Sequence, residues 1–302
     1  MDKTPHTPLI SIIMNCYNSS RYLSEAIEGV LNQTYSSWEL IFWDNQSTDG
    51  SSKIYKSYAD TRLKYFYADR HTALSTARNL AIEKATGEII GFIDCDDIWM
   101  PNKLEEQVPY FINEDVGIVY SDFNLILDSE DNSAKKMYQA FRKLSCEPHP
   151  AKDIYKKLLL GNFIIFSTVL IRKSVYYLTG GFSEEFSQDE DYEVLIKSSL
   201  YSKAVCISSQ AVHYRIHSSN NSYQNKEASF LENRAILGSL PFGKEVSRAR
   251  NRNEARYLIH RILWYKKPSL FSFFFSFEMI TGLTDAIRLK ICKKVLGNKN
   301  LR

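Results

Sequence analysis

The first 125 residues alternate five times between a short apolar run and a segment of helical spacing, and this constrains the fold more than any other feature of the chain. Leu9 to Met14, Glu39 to Trp43, Leu63 to Tyr67, Ile89 to Asp94 and Gly117 to Phe123 read as strands, because β-branched and aromatic residues dominate them. Leu23, Ala26, Ile27, Val30 and Leu31 repeat as on one face of a helix, with Ser19 or Ser20 as its cap. The turn formers of Asp44 to Ser52 introduce a second helix through Tyr58, and a third spans Ala73 to Ala85 with Gly87 as its C-terminal glycine. Pro101 starts a fourth, through about Phe111. Strands alternating with helices at crossover spacing predict an α/β fold, a doubly wound, mostly parallel sheet flanked by helices.

Beyond residue 125 the alternation fails. Leu125 to Pro150 is polar and weakly periodic, a length of loop that calls for small elements or a function of its own. Phe163 to Ile171 predicts another strand, and Asp189 to Tyr201 a helix capped by Ser187. Ala204 to Ile207 and Val212 to Ile216 predict two short strands. From about Ser229 the pattern becomes helical and basic. Residues 244 to 302 carry 14 Lys and Arg against 4 Asp and Glu, although the whole chain is only +3. The expected division is an α/β body over residues 1–225 and a basic helical region over 226–302. The run SLFSFFFSF at Ser269 to Phe277 is too short to span a bilayer, and the basic excess favours a helix lying among anionic headgroups over one packed on the body. Five dispersed cysteines without a C-x-x-C pair predict reduced thiols. With no signal-peptide pattern in MDKTPHTPLI, the expected location is cytoplasmic, peripheral on the inner face of the plasma membrane.

The fourth apolar run, IIGFIDCDD, ends abruptly at Asp94, Asp96 and Asp97. Acids at the carboxyl end of a strand in an open α/β sheet border the ligand crevice. Hard cations prefer carboxylate oxygens and bind substrate phosphates at the same time. Taken alone, the cluster is equally an acidic turn capping the next helix. Neither G-x-G-x-x-G nor G-x-x-x-x-G-K-[ST] is present, so the usual dinucleotide and P-loop fingerprints are missing. What remains is a series of acids at strand ends and a helix start: Asp44, Asp94 to Asp97, and Glu190 with Asp191, with Arg78 between. Asp49 and Asp122 read as turn or capping residues.

SIIMNCYN (Ser11 to Asn18), FWDNQSTDGS (Phe42 to Ser51), ARN (Ala77 to Asn79), FIDCDDIWMPNKL (Phe92 to Leu104), GGF (Gly180 to Phe182), EDYEVLIK (Glu190 to Lys197) and YRIH (Tyr214 to His217) follow one another in that order. Together they resemble the GT-A, family 2 inverting glycosyltransferases over about residues 8 to 222. The resemblance implies that Asp44 contacts the nucleobase, usually uracil, and that Cys16 and Tyr17 line the same pocket. It implies that Arg78 braces the base pocket and the central acids. Asp94, Cys95 and Asp96 match the D-x-D signature, with ribose and phosphate contacts in this group. The cation, Mn²⁺ or Mg²⁺, is implied at Asp96, with Asp97 as the alternative ligand and His217 supplementing it. Asp191 matches the general base. Asn15 stands where relatives often carry Pro.

Chemistry demands the same division of labour. Inversion at an anomeric carbon needs a base for the acceptor hydroxyl on one face and a stabilised leaving diphosphate on the other. The expected partners are a nucleoside-diphosphate sugar, with UDP as the carrier, and a glycan or lipid-linked acceptor; anionic membrane is a further contact and nucleic acid is not expected. The rival readings are a nucleotidyltransferase that makes a nucleotide-sugar, whose glycine-rich basic loop is missing here, and a nonenzymatic membrane-associated scaffold.

Overall fold

The computed structural model describes residues 7–142, 144, 154–220 and 225–265. Strands β1 (Ile10–Cys16), β2 (Trp38–Asp44), β3 (Leu63–Tyr67) and β4 (Ile89–Phe92) form from the expected apolar runs. Between them lie helices α1 (Leu23–Leu31), α2 (Ser51–Lys56) and α3 (Leu74–Glu83). After β5 (Ile98–Trp99) come α4 (Lys103–Gln107), a 3₁₀ turn at Val108–Ile112 and β6 (Val116–Leu127). Next follow α5 (Asn132–Phe141), α6 (Ile154–Leu158), β7 (Leu170–Arg172), α7 (Lys173–Leu178), α8 (Glu190–Tyr201) and β8 (Lys203–Ile216). Helices α9 (Lys226–Ser239) and α10 (Lys244–Tyr265) close the described chain.

The sheet runs β3-β2-β1-β4-β7-β6-β8-β5. β1 to β4 pair in parallel, while β7 is antiparallel to both β4 and β6, and β5 is antiparallel to β8. The result is a mixed, mostly parallel α/β sheet of GT-A type. β1 and β2 are buried along nearly their whole length, which is why they lack polar alternation. The parallel register sets Cys16 against Asp44 and Ile13 against Phe92, so β1, β2 and β4 end along one edge. Asp94 lies two residues past the end of β4 on that edge.

Five expectations need correcting. The run Phe163–Ile171 is a 3₁₀ turn at Phe166–Thr168 followed by the three-residue β7. Its carbonyls are claimed elsewhere: Trp99 Nε1 donates to Ser167 O at 2.9 Å and Gln107 Nε2 to Thr168 O at 2.9 Å, so the ladder cannot form. The two short strands after α8 are one, β8, paired with β6 through a register shift near Asp122 that absorbs the polar residues between them. Gly87 is not a helix cap. A Cβ there would meet Leu9 O at 2.5 Å and Ser11 N at 2.8 Å, so the glycine permits close approach to β1. Neither Ser19 nor Ser20 caps α1: the cap position is Tyr22, which makes no side-chain cap bond, and the Ser19 and Ser20 amides donate to Ser51 Oγ and Asp49 in the turn before it. Asp49 is a turn residue, as expected, accepting from Ser20 N and Ser51 N. Cys16 and Cys95 are free thiols, but Cys206 is disulfide-bonded, contrary to the expectation; sequence spacing does not show which sulfurs a fold brings together.

The chain divides into two compact units, Met1–Asn221 and Ser222–Arg302. In the second, α9 and α10 pack antiparallel: Asn253 Nδ2 donates to Phe230 O at 3.0 Å, Arg250 Nε to Leu237 O at 2.9 Å, and Arg234 pairs with Glu254. Among the described residues no helix is long and apolar enough to cross a membrane. The run Ser269 to Phe277 lies outside them.

Candidate active site

The edge formed by β1, β2 and β4 carries the first group of expected residues. Asp44, at the end of β2, is fully buried; its two oxygens accept from Ser47 N and from the Tyr65 hydroxyl, each at 2.7 Å. Each oxygen keeps a second lone pair. Tyr17, just past β1, is half exposed and lays its ring 4.2 Å from that of His71, whose Nδ1 meets Asn45 O at 2.9 Å. Cys16 is buried beside Cys95, whose thiol donates to Asn15 O at 3.3 Å. Its neighbour Cys95, with the Ser51 and Ser47 hydroxyls, holds the Cys16 thiol down at about 7, against burial, which pushes it up.

Asp94, Asp96 and Asp97 can offer oxygens that lie within 4.8 Å of one another. They are not equivalent. Asp94 and Asp96 reach solvent, with side chains 48% and 26% exposed, whereas Asp97 is fully buried. Asp97 Oδ1 accepts from Arg215 N at 3.1 Å and Oδ2 from the Ser167 hydroxyl. Burial pushes its carboxyl far above the usual range, and Asp96 and Asp94 add to this by repulsion. The third acid therefore sits behind the other two. His217 Nε2 reaches Asp96 Oδ2 at 2.8 Å, while Ser219 Oγ meets its other nitrogen at 2.9 Å. Asn220 Nδ2 adds a 3.3 Å bond to the same Asp96 oxygen. Clustered carboxylates with two solvent-facing members are an oxygen set suited to a hard divalent cation.

A second acidic group opens α8. Glu190 is buried and Asp191 half-buried, both in the first turn. Arg78, buried on α3, joins the two groups: Nη1 donates to Glu190 Oε1 at 2.8 Å and Nη2 to Asp94 Oδ1 at 3.4 Å. Its guanidinium also lies over the rings of Phe166 and Phe182, at 5.2 and 5.4 Å, which hold the planar group in place. Desolvation pushes Asp191 up to about 8, the charge of Glu190 reinforces this, and Arg78 opposes it. Asn79 anchors the GGF turn, donating to Phe182 O at 2.9 Å and accepting from Phe182 N at 3.0 Å. Gly180 and Gly181 adopt φ of 84° and 80° there, a region open to glycine.

A family model, Glycosyl transferase family 2, matches residues 11–177, more than half of the chain. The chain belongs to glycosyl transferase family 2. Family 2 membership makes it a nucleotide-sugar-dependent glycosyltransferase of the inverting class. The UDP-Glc:alpha-D-GlcNAc-diphosphoundecaprenol beta-1,3-glucosyltransferase WfgD of Escherichia coli is 34% identical over 184 residues, 61% of this chain and 67% of that protein. The putative teichuronic acid biosynthesis glycosyltransferase TuaG of Bacillus subtilis is 33% identical over 121 residues, 39% of this chain and 48% of that protein. The chain thus spans about half to two thirds of the length of these relatives. Among solved structures, S. aureus TarS 1–349 in complex with UDP-GlcNAc superposes with a TM-score of 0.63 at 19% identity, covering 95% of this chain and 82% of that one. The mannosyltransferase PcManGT of Pyrobaculum calidifontis, in complex with GDP-Man and Mn²⁺, gives 0.54 at 16% identity, covering 85% and 65%. These two likenesses show the fold.

The structure thus gathers Cys16, Tyr17 and Asp44 at the ends of β1 and β2. It sets Cys95 against the loop after β1, and Asp94, Asp96, Asp97, Arg78 and His217 around the loop after β4. Asp191 is tied to the same site through Glu190 and Arg78. Sequence reading missed Ser167, Arg215 and Asn220. Ser167 is hidden in an otherwise apolar run, and its polarity there was the available signal. Asn220 and Arg215 had only their nearness to His217 to mark them.

Proposed function

We propose that this family 2 enzyme moves a sugar from a UDP-sugar to a hydroxyl of a lipid-linked glycan acceptor, with inversion and with Asp191 as general base. The observation that carries the reading is the Arg78 bridge, which spans 112 residues of sequence between α3 and α8 and fixes two acidic groups on either side of one buried cation. One group holds the donor and the other takes the proton. Asp44, Tyr17 and Cys16 form the nucleobase end, and Arg78, Asp94 and Cys95 lie toward the ribose and diphosphate. Asp94 and Asp96 would hold a divalent cation, Mn²⁺ or Mg²⁺, with His217 orienting Asp96 and the buried Asp97 tying the loop to Arg215 and Ser167 from behind. When bound, the cation supplies neutralisation of charge on the leaving diphosphate.

The protein's own residues supply the rest. Asp191, with its carboxyl near 8, is a stronger base than a solvated aspartate and so better matched to an alcohol. Glu190 keeps it basic by repulsion. Arg78 limits that effect and keeps enough of the base ionised near neutrality. The lipid-linked acceptor rests on the printed substrate of the Escherichia coli relative and on the basic excess of residues 244 to 302, which suits an anionic surface. The body, residues 1–225, would carry the chemistry, and 226–302 would approach the inner face of the plasma membrane.

The test is a screen of nucleotide-sugars with Mn²⁺ and a diphospholipid-linked acceptor, reading the released nucleotide. UDP release that depends on acceptor and stops on chelation supports the reading. Pyrophosphate release from a nucleoside triphosphate would overturn it in favour of a nucleotidyltransferase.

A further inference from the structure

Arg215 belongs to no group described above as touching donor or acceptor, yet more of the acidic loop depends on it than on any expected residue. It lies on β8, buried to 6% exposure. The antiparallel register between β5 and β8 pairs Ile98 with His213 and Trp99 with Val212, and continuing it two residues sets Arg215 against Asp96. The main chain and the side chain of Arg215 then hold successive residues of the loop. Its amide donates to Asp97 Oδ1 at 3.1 Å, and its Nε donates to Asp96 O at 3.0 Å.

The guanidinium is itself fixed from outside the loop. Nη2 donates to Glu25 Oε2 on α1 at 2.7 Å, and Nη1 lies 3.8 Å from Asp128 Oδ2 at the end of β6. Its face rests 4.4 Å from the centroid of the Tyr22 ring. Asn220 completes the arrangement, donating from one amide nitrogen to Arg215 O at 3.1 Å and to Asp96 Oδ2 at 3.3 Å. Asp96 is therefore held at its carbonyl by Arg215 and at its carboxylate by His217 and Asn220. A planar fork of donors can make these contacts at once, and an ammonium cannot.

We infer that Arg215 is a positioning residue of the acidic loop, fixing the Asp96–Asp97 peptide so that the Asp96 carboxylate is presented in a cation-binding orientation. The inference rests on the proposed cation site. Groups that orient metal ligands typically change metal affinity ~10–100-fold when lost. Replacing Arg215 should therefore weaken cation binding while leaving Asp191 and the chemical step largely intact.

The experiment titrates Mn²⁺ calorimetrically into purified protein saturated with UDP, and measures kcat and the half-activating Mn²⁺ concentration in parallel. R215M and R215K should each raise the Mn²⁺ dissociation constant and the half-activating concentration by ~10-fold or more, with kcat at saturating Mn²⁺ within about 3-fold of wild type. E25Q, which loosens the guanidinium but keeps its bond to Asp96, should shift the same constants a few-fold; it serves if the Arg215 variants do not fold. Unchanged Mn²⁺ binding in a folded R215M, or in E25Q where R215M is not obtained, overturns the inference. So does a fall in kcat and stability together at unaltered Mn²⁺ affinity. D96N separates the two levels. If D96N binds Mn²⁺ as wild type does, the cation site itself is wrong. If D96N loses binding and R215M does not, only the role of Arg215 fails.

Discussion

Glu190→Gln removes a negative charge beside Asp191 while leaving an oxygen that can still accept from Arg78. Two unit charges ~6 Å apart at an effective dielectric of 20 repel by about 3 kcal/mol. Asp191 faces solvent on one side, so roughly half of this survives, equivalent to about one pKa unit. In wild type the carboxyl is raised to about 8, and it works ionised, so kcat/KM should climb from pH 6 and level off above pH 9. In E190Q the rise should move down by about one unit, so the variant reaches a larger fraction of its own plateau at pH 7. The plateau itself should fall, because a weaker base removes the acceptor proton less readily. The assay is kcat/KM by nucleotide release from pH 5.5 to 9.5 at saturating Mn²⁺. An inflection that stays in place or moves upward refutes the coupling of the two carboxyls.

Three further outcomes follow from the same geometry. The Asp191 carboxyl is raised in the folded state, mainly by desolvation, so its ionisation opposes folding: its contribution is most favourable below the unfolded value and is lost as pH rises through about 8. Asp191→Asn should therefore raise Tm by about 2–4 °C at pH 9 and by less at pH 5, checked by scanning calorimetry at both. Gly87→Ala should destabilise by ~1–3 kcal/mol in urea unfolding, because the added Cβ meets the backbone of β1 and not a flexible side chain. Against desolvation, hydrogen bonds from Ser51 and Ser20 hold the exposed Asp49 down at about 2. Asp49→Ala should cost ~1 kcal/mol at pH 7, as lost caps do, and a difference undiminished at pH 2, where the carboxyl is already partly protonated, would contradict this origin.

Much of the fold was legible because burial on both sheet faces leaves unbroken apolar runs, as in β1 and β2, and those runs can be read without knowing their neighbours. Phe163 to Ile171 was misread for the same reason: apolarity records burial, and a 3₁₀ turn under Trp99 is as buried as a strand. β8 looked like two strands because the polar residues near Ser208 sit at a register shift, which only the partner strand reveals. At the site, the carboxylates were visible as strand-end acids, and the resemblance gave them order. The contacts that make the acids unequal were not visible. Ser167 and Arg215 bury Asp97 from 70 and 118 residues away, and such pairings are set by topology and not by local pattern. The link from Arg78 to Glu190 has the same character.

The central claim is that donor binding and proton transfer are divided between the acids after β4 and Asp191. Turnover and donor binding by Asp191→Asn, measured on one preparation, test it most directly. Transfer should fall at least ~10³-fold, within the range of general-base loss, while UDP-sugar with Mn²⁺ binds within about 3-fold of wild type and still raises Tm. Wild-type turnover in that variant, or loss of donor binding in step with activity, would contradict the division.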